Sequence, residues 1–156
     1  MKFLVALAIL SCFAIGQTMA GGAQIVAAVR SQIGLPYSWG GGSWAGKSKG
    51  IESGAHTIGF DCSGLAQYGV YQGTHKKIAR VAHLQYQDKQ CKHYPFAEAK
   101  PGDLVFFQKG SDIHHVAIVT GPNTIIQAPH TGDHVREGPY STQGAHERMA
   151  QVARCW

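Results

Sequence analysis

The chain has 156 residues, 14 Lys and Arg against 9 Asp and Glu, and a formal net charge of +5. That length suits one domain with one core. The positive excess is modest, and no aromatic–basic pattern or recognition motif accompanies it, which argues against a nucleic-acid binder. Lys76, Lys77 and Arg80 form the densest cluster, in a segment that reads as a loop. A solvated surface explains them most simply. Attraction to an anionic polymer such as a bacterial wall is the functional reading.

In chain order, Lys2 is followed by an apolar stretch from Phe3 to Ile15 and by Thr18-Met19-Ala20, a small-x-small cleavage site. Residues 1–20 therefore read as a secretory signal peptide, and residues 21–156 as a single domain. Cys12 fits a lipid anchor poorly, because apolar sequence continues past it. No other hydrophobic run is long enough to span a bilayer. Residues 23–33 carry Ile25, Val29 and Ile33 on one helical face, stopped by Gly34 and Pro36. The glycine-rich stretch 36–59 reads as a long loop. A second helix is predicted from Cys62, with Asp61 as N-cap, Leu65, Ala66, Gly69 and Val70 on one face, and Gly73 as the stop. Gly69 inside that helix implies a close-packed neighbour. A short helix is predicted around 81–89.

The second half changes character. Strands are predicted over 104–108, 115–120 and 124–128, with a fourth around Val135 and a last over 149–155. Helices first and strands afterwards predict an α+β fold, N-terminal helices packed on an antiparallel β-sheet.

Past the leader the cysteines are Cys62, Cys91 and Cys155. An odd count in an oxidising compartment suggests one disulfide and one free thiol. Cys91 and Cys155 are the natural pair, since neither sits in a motif, although other pairings would consume Cys62. A free Cys62 at a helix start is well placed for chemistry. The helix N-terminus favours a thiolate and offers free N–H groups for an oxyanion. Alone, a cysteine there is more simply a small buried apolar residue.

The turn at Gly121-Pro122 supplies a partner. With Gly121 at its centre, His115 falls opposite Gln127. Cross-strand neighbours lie within side-chain reach. Gln127 then orients one ring nitrogen of His115 while the other faces the thiol, the logic of a triad. A slip of one residue would spoil the arrangement. His130 competes for the third position. His114 points to the other face of a regular strand.

These residues resemble the NlpC/P60 family of cysteine peptidases. Pro36-Tyr37-Ser38-Trp39-Gly40-Gly41 looks like the family's Pro-Tyr-x-Trp-Gly-Gly segment, and Asp61-Cys62-Ser63-Gly64-Leu65 like its nucleophile motif. Arg80 and Gln85 match an Arg-x-x-x-x-Gln element. Pro101-Gly102-Asp103-Leu104 and His115-Val116-Ala117-Ile118 resemble its two strand motifs. The five stand in the family order and cover nearly all of the chain after the leader. The resemblance implies a papain-like core, with Cys62 as nucleophile and His115 as base. The third position, usually a histidine, falls on Gln127. It also implies that Tyr37, Asp61 and Ser63 line the substrate cleft.

By the same resemblance, the chain is a secreted cysteine endopeptidase. It would cut peptidoglycan stem peptides at the bond between γ-D-glutamate and a diamino acid. The expected partner is bacterial peptidoglycan or its muropeptides. No cofactor or metal, no nucleic acid, no stable membrane association and a monomeric state are expected. An amidase or acyltransferase of the same fold is one alternative. Another is a wall-binding module with Cys62 oxidised or paired. The stretch 42–60 is longer than the family pattern leads one to expect, and is either a cap over the cleft or a surface excursion.

Two other motifs carry less. Gly41 to Ser48 matches the Walker A pattern, but Pro36 precedes it and no helical period follows. His130-x-x-x-His134 has zinc spacing without a C-x-x-C partner.

Overall fold

The computed structural model describes residues 17–156, with side chains described from Gly21 onward. The expected signal peptide lies outside the described residues except for its last four. Among the described residues no helix is long and apolar enough to cross a membrane.

Among the described residues three α-helices precede the main sheet: α1 (Gln17–Arg30), α2 (Cys62–Thr74) and α3 (Ala82–Tyr86). Between α1 and α2, the strands β1 (Ser48–Lys49) and β2 (Ile58–Gly59) pair as a small antiparallel ladder. The remaining strands are β3 (Lys92–Pro95), β4 (Leu104–Lys109), β5 (Asp112–Val119), β6 (Thr124–Gln127), β7 (Arg136–Pro139) and β8 (Arg148–Arg154). They form one six-stranded antiparallel sheet in the order β3-β8-β4-β5-β6-β7. The α+β expectation holds. Edge strand β3 is an addition: Lys-His-Tyr-Pro has too little alternation to announce a strand, and it forms only because β8 lies beside it.

Both faces of the sheet are covered. Leu104, Phe106, Val116, Ile118 and Ile126 face the helices and meet Ile25, Val29, Leu65 and Val70. Val105, Phe107, Ala117, Val119 and Ile125 face the other way, under Phe96 and Tyr140. This two-sided burial explains why β4 and β5 read as continuous apolar runs rather than alternating ones.

Asp61 caps α2, its carboxylate accepting from Gly64 N at 2.7 Å. The close neighbour implied by Gly69 is α1: a Cβ there would sit 2.6 Å from Val29 Cγ1. Gly73 does not stop the helix. It admits α1, since a Cβ there would lie 2.7 Å from Gly21 O, and the stop falls at His75 in a left-handed conformation, φ 60°. Likewise α1 ends at Arg30, so Ile33 leaves the apolar stripe and is 43% exposed.

The Pro101-Gly102-Asp103 turn seats the sheet. Gly102 has φ +95°, and a Cβ would clash with the backbone of Gly22. Fully buried Asp103 accepts two hydrogen bonds from Arg154, at 2.8 and 2.7 Å, and one from the Trp156 indole at 3.1 Å. Cys91 and Cys155 form the expected disulfide, and among the described residues Cys62 is the free cysteine.

Candidate active site

A cleft of about 700 Å³ opens where the start of α2 meets β5. Cys62, His115, Tyr37, Asp61 and Ser63 all line it. Cys62 is the first residue of α2, partly exposed to the cleft. Close packing around its sulfur pushes the thiol up to about 11, and the nearby Asp61 carboxylate acts in the same direction. The backbone N–H groups of Val116 and Ser63, and the Arg80 charge, pull the other way without winning. The thiol is therefore not ionised by its surroundings at neutral pH, and a base is needed to release its nucleophile.

His115 is buried on β5 opposite Phe107, ring centroids 5.6 Å apart. Burial lowers its pKa to about 4, only partly offset by the Gln127 hydrogen bond. At neutral pH the ring is uncharged. Its Nε2 lies 2.8 Å from Gln127 Oε1. An amide oxygen only accepts, so Nε2 carries the proton and Nδ1 keeps its lone pair.

The hairpin register differs from the sequence expectation. Ile118 faces Ile126 and Val119 faces Ile125. Continued by one pair, that ladder sets Ala117 rather than His115 opposite Gln127. The slip is two residues, and two residues preserve the face. His115 and Gln127 therefore meet as diagonal neighbours, still within reach of long side chains. His130 lies on the cleft rim, and its Nδ1 is 3.0 Å from Thr131 O. β5 is also irregular: its ladder with β4 skips His114. His114 is exposed there, with Nε2 3.0 Å from Glu147 Oε2.

Arg80 is the residue whose place the sequence concealed. The Lys76–Arg80 cluster is not uniformly solvated surface. Arg80 makes a bidentate pair with Asp61, Nη1 to Oδ1 at 2.9 Å and Nη2 to Oδ2 at 3.0 Å, and also donates to Ser63 Oγ and Gly41 O. It thereby joins the Gly41 loop, the cap of α2 and the cleft floor. Gln67 donates to Ile78 O at 2.7 Å. Gln85 donates to both Ala79 O and Ser63 O at 2.9 Å. The matching Arg and Gln of the sequence element were the available signal.

Tyr37 is held by a backbone hydrogen bond to Asp133 O. Burial, with Cys62 and Asp61 nearby, raises its pKa, so its hydroxyl stays a neutral donor. Of the 42–60 stretch, Ile51 reaches the cleft. Ile51 N donates to Trp39 O at 2.8 Å, both side chains line the cleft, and Ser53 Oγ reaches Thr131 Oγ1 at 3.4 Å. The Walker-like run closes on itself through Ser43 and Gly46 and passes into β1 rather than into an α-helix.

Residues 34–154 match the sequence pattern of the NlpC/P60 family. The chain belongs to the NlpC/P60 family. It is 44% identical over 114 residues to the peptidoglycan endopeptidase RipB of Mycobacterium tuberculosis, covering 73% of this chain and 46% of RipB. It is 43% identical over 114 residues to RipA, named likewise, of Mycolicibacterium smegmatis, covering 73% of this chain and 22% of RipA. The chain thus spans less than half the length of either relative. The solved RipB structure, described as a peptidoglycan hydrolase, superposes with a TM-score of 0.78 at 35% identity, covering 92% of this chain and 68% of that one. RipD of M. tuberculosis, described as a non-catalytic NlpC/P60 protein adapted to peptidoglycan binding, superposes with a TM-score of 0.75 at 28% identity. That match covers 87% of this chain and 98% of RipD. The NlpC/P60 fold thus appears among the neighbours of this chain both as a hydrolase and as a binder.

Proposed function

We propose that this chain is a secreted peptidoglycan endopeptidase working through Cys62, His115 and Gln127. The observation that carries the reading is a free thiol sharing one cleft with a neutral imidazole whose tautomer is held by Gln127. The names of RipA and RipB support the substrate class. The disulfide suits an oxidising compartment.

His115 Nδ1 takes the Cys62 proton as the sulfur attacks a peptide carbonyl. The carbonyl oxygen becomes an oxyanion, for which N–H groups at the start of α2 are the available donors. The imidazolium then gives its proton to the leaving amine, and the C–N bond breaks to leave a thioester. His115 next takes a proton from water as the water oxygen attacks the thioester, and returns it to the departing sulfur. Tyr37, Asp61 and Ser63 bind substrate along the cleft floor, with Arg80 keeping the Asp61 carboxylate in place. The bond between γ-D-glutamate and a diamino acid is the proposed target.

RipD makes a binding module the second reading. The free Cys62 favours the enzyme, because the disulfide leaves that thiol available. Purified peptidoglycan digested with wild type and Cys62→Ala, with products identified by mass spectrometry, decides between them. New amine and carboxyl termini at the γ-D-glutamyl bond are expected with wild type alone. Binding without cleavage by both proteins would establish the module instead.

A further inference from the structure

The hydrogen-bond chain behind His115 does not end at Gln127. Gln127 Nε2 lies 3.3 Å from Thr142 Oγ1, and Thr142 Oγ1 lies 2.8 Å from Pro139 O. A threonine hydroxyl has one hydrogen, and a backbone carbonyl can only accept. That hydrogen is committed to Pro139 O, so Thr142 Oγ1 must accept from Gln127 Nε2. This sets the direction of the buried amide and turns Oε1 toward His115. The turned amide in turn demands a proton on His115 Nε2.

An amide has no such preference of its own. Flipped, Gln127 would offer an N–H to His115 Nε2, which would then need its lone pair there. The proton would move to Nδ1, and an Nδ1–H imidazole has no lone pair for the thiol. We propose that Thr142 is a positioning residue that selects the reactive tautomer of His115 by fixing the Gln127 amide. This rests on the reading of His115 as the base.

Thr142 sits in the single 3₁₀ turn Tyr140–Gln143 that follows β7. Tyr140 anchors the turn from below: its ring packs against Phe96 at 5.3 Å, and its N–H donates to Asn123 O. Gln143, one residue beyond Thr142, lines the cleft. The turn thus links the core under the sheet to the amide that orients the base. The strand motifs give no sign of it, because Thr142 lies 15 residues from Gln127 and outside the sheet.

The test reads the tautomer directly. ¹⁵N-histidine spectra of the Cys62→Ala chain at neutral pH should show His115 as the Nε2–H form alone. Adding Thr142→Ser, which keeps the hydroxyl, should preserve that signal. Adding Thr142→Val should give a mixture of both tautomers. In the chain that retains Cys62, Thr142→Val should lower kcat about tenfold, the size expected for one lost hydrogen bond. KM should stay the same, and the rate of Cys62 alkylation by iodoacetamide should fall in parallel. Thr142→Ser should restore both rates. If the valine variant does not fold, Thr142→Ala takes its place in every measurement. An unchanged tautomer in the valine or alanine variant overturns the proposal, as does a kcat loss that serine fails to rescue. The spectra need no turnover, so a chain that cleaves no peptidoglycan would refute the proposed function while leaving this test standing.

Discussion

At the scale of residues, burial does more to His115 than any charge. The ring is held neutral in a site that penalises its cation, and its pKa falls from 6.5 to about 4. Above pH 6.5 the ring is uncharged in both folded and unfolded chains, and no stability is at stake. Between 6.5 and about 4 the unfolded chain takes up a proton that the folded chain refuses, so stability falls as the pH falls. Below about 4 both states carry the proton and the loss levels off. The full effect is at most about 3 kcal/mol. Urea unfolding of wild type and His115→Gln at a series of pH values checks this. The wild type should lose stability across that window more steeply than the variant, and parallel curves would mean that His115 titrates normally. Cys62 needs the same neutral ring, because its own thiol is pushed up to about 11.

At the scale of elements, the site depends on α2 being held where its first residue enters the cleft. Two glycines let α1 press against α2: a Cβ would lie 2.6 Å from Val29 Cγ1 at Gly69 and 2.5 Å from Ile25 Cγ1 at Gly73. Gly69→Ala gains about 1 kcal/mol of helix propensity. It also drives a Cβ to 2.6 Å from Val29 Cγ1, an overpacking that costs about 1–3 kcal/mol. A net loss of about 1 kcal/mol is expected in denaturant unfolding. A more stable variant would show that α1 yields freely. The loop before α3 is fixed more firmly than its basic composition suggests. Gln67, Gln85 and Asp88 bind its backbone at Ile78 and Ala79. Arg80 is delivered to Asp61 as a result.

At the scale of the whole molecule, the disulfide closes a 64-residue separation that contains β4 to β7 and the whole His115–Gln127 hairpin. Lys76 Nζ donates to Cys155 O at 2.8 Å, so the basic loop is tied to the same point. Chain-entropy arguments assign such a cross-link about 4 kcal/mol. Denaturant unfolding of wild type and of a Cys91→Ala, Cys155→Ala double variant should differ by that order. A difference below about 1 kcal/mol would mean that the Asp103–Arg154–Trp156 network already secures the C-terminal end.

How far the sequence can be read follows the range of each interaction. The cap at Asp61, the start of α2, the turn at Gly102 and the five main strands rest on short-range patterns, and they were legible. So was the cysteine pairing, by counting. The approach of His115 to Gln127 was legible only because a hairpin converts sequence spacing into distance. Its register still slipped by two residues, which the period of a strand forgives. What lay beyond local pattern stayed hidden: the place of β3 at the sheet edge, the fate of Gly73, Ile51 at the cleft, and Arg80 on Asp61. Each depends on a partner supplied by another part of the chain. By itself the sequence determined the residue types, the helix start that carries the thiol and the strand that carries the imidazole. Only the tertiary structure decided which nitrogen of that imidazole bears the proton, because that choice passes through an amide and a hydroxyl that meet only when the chain is folded.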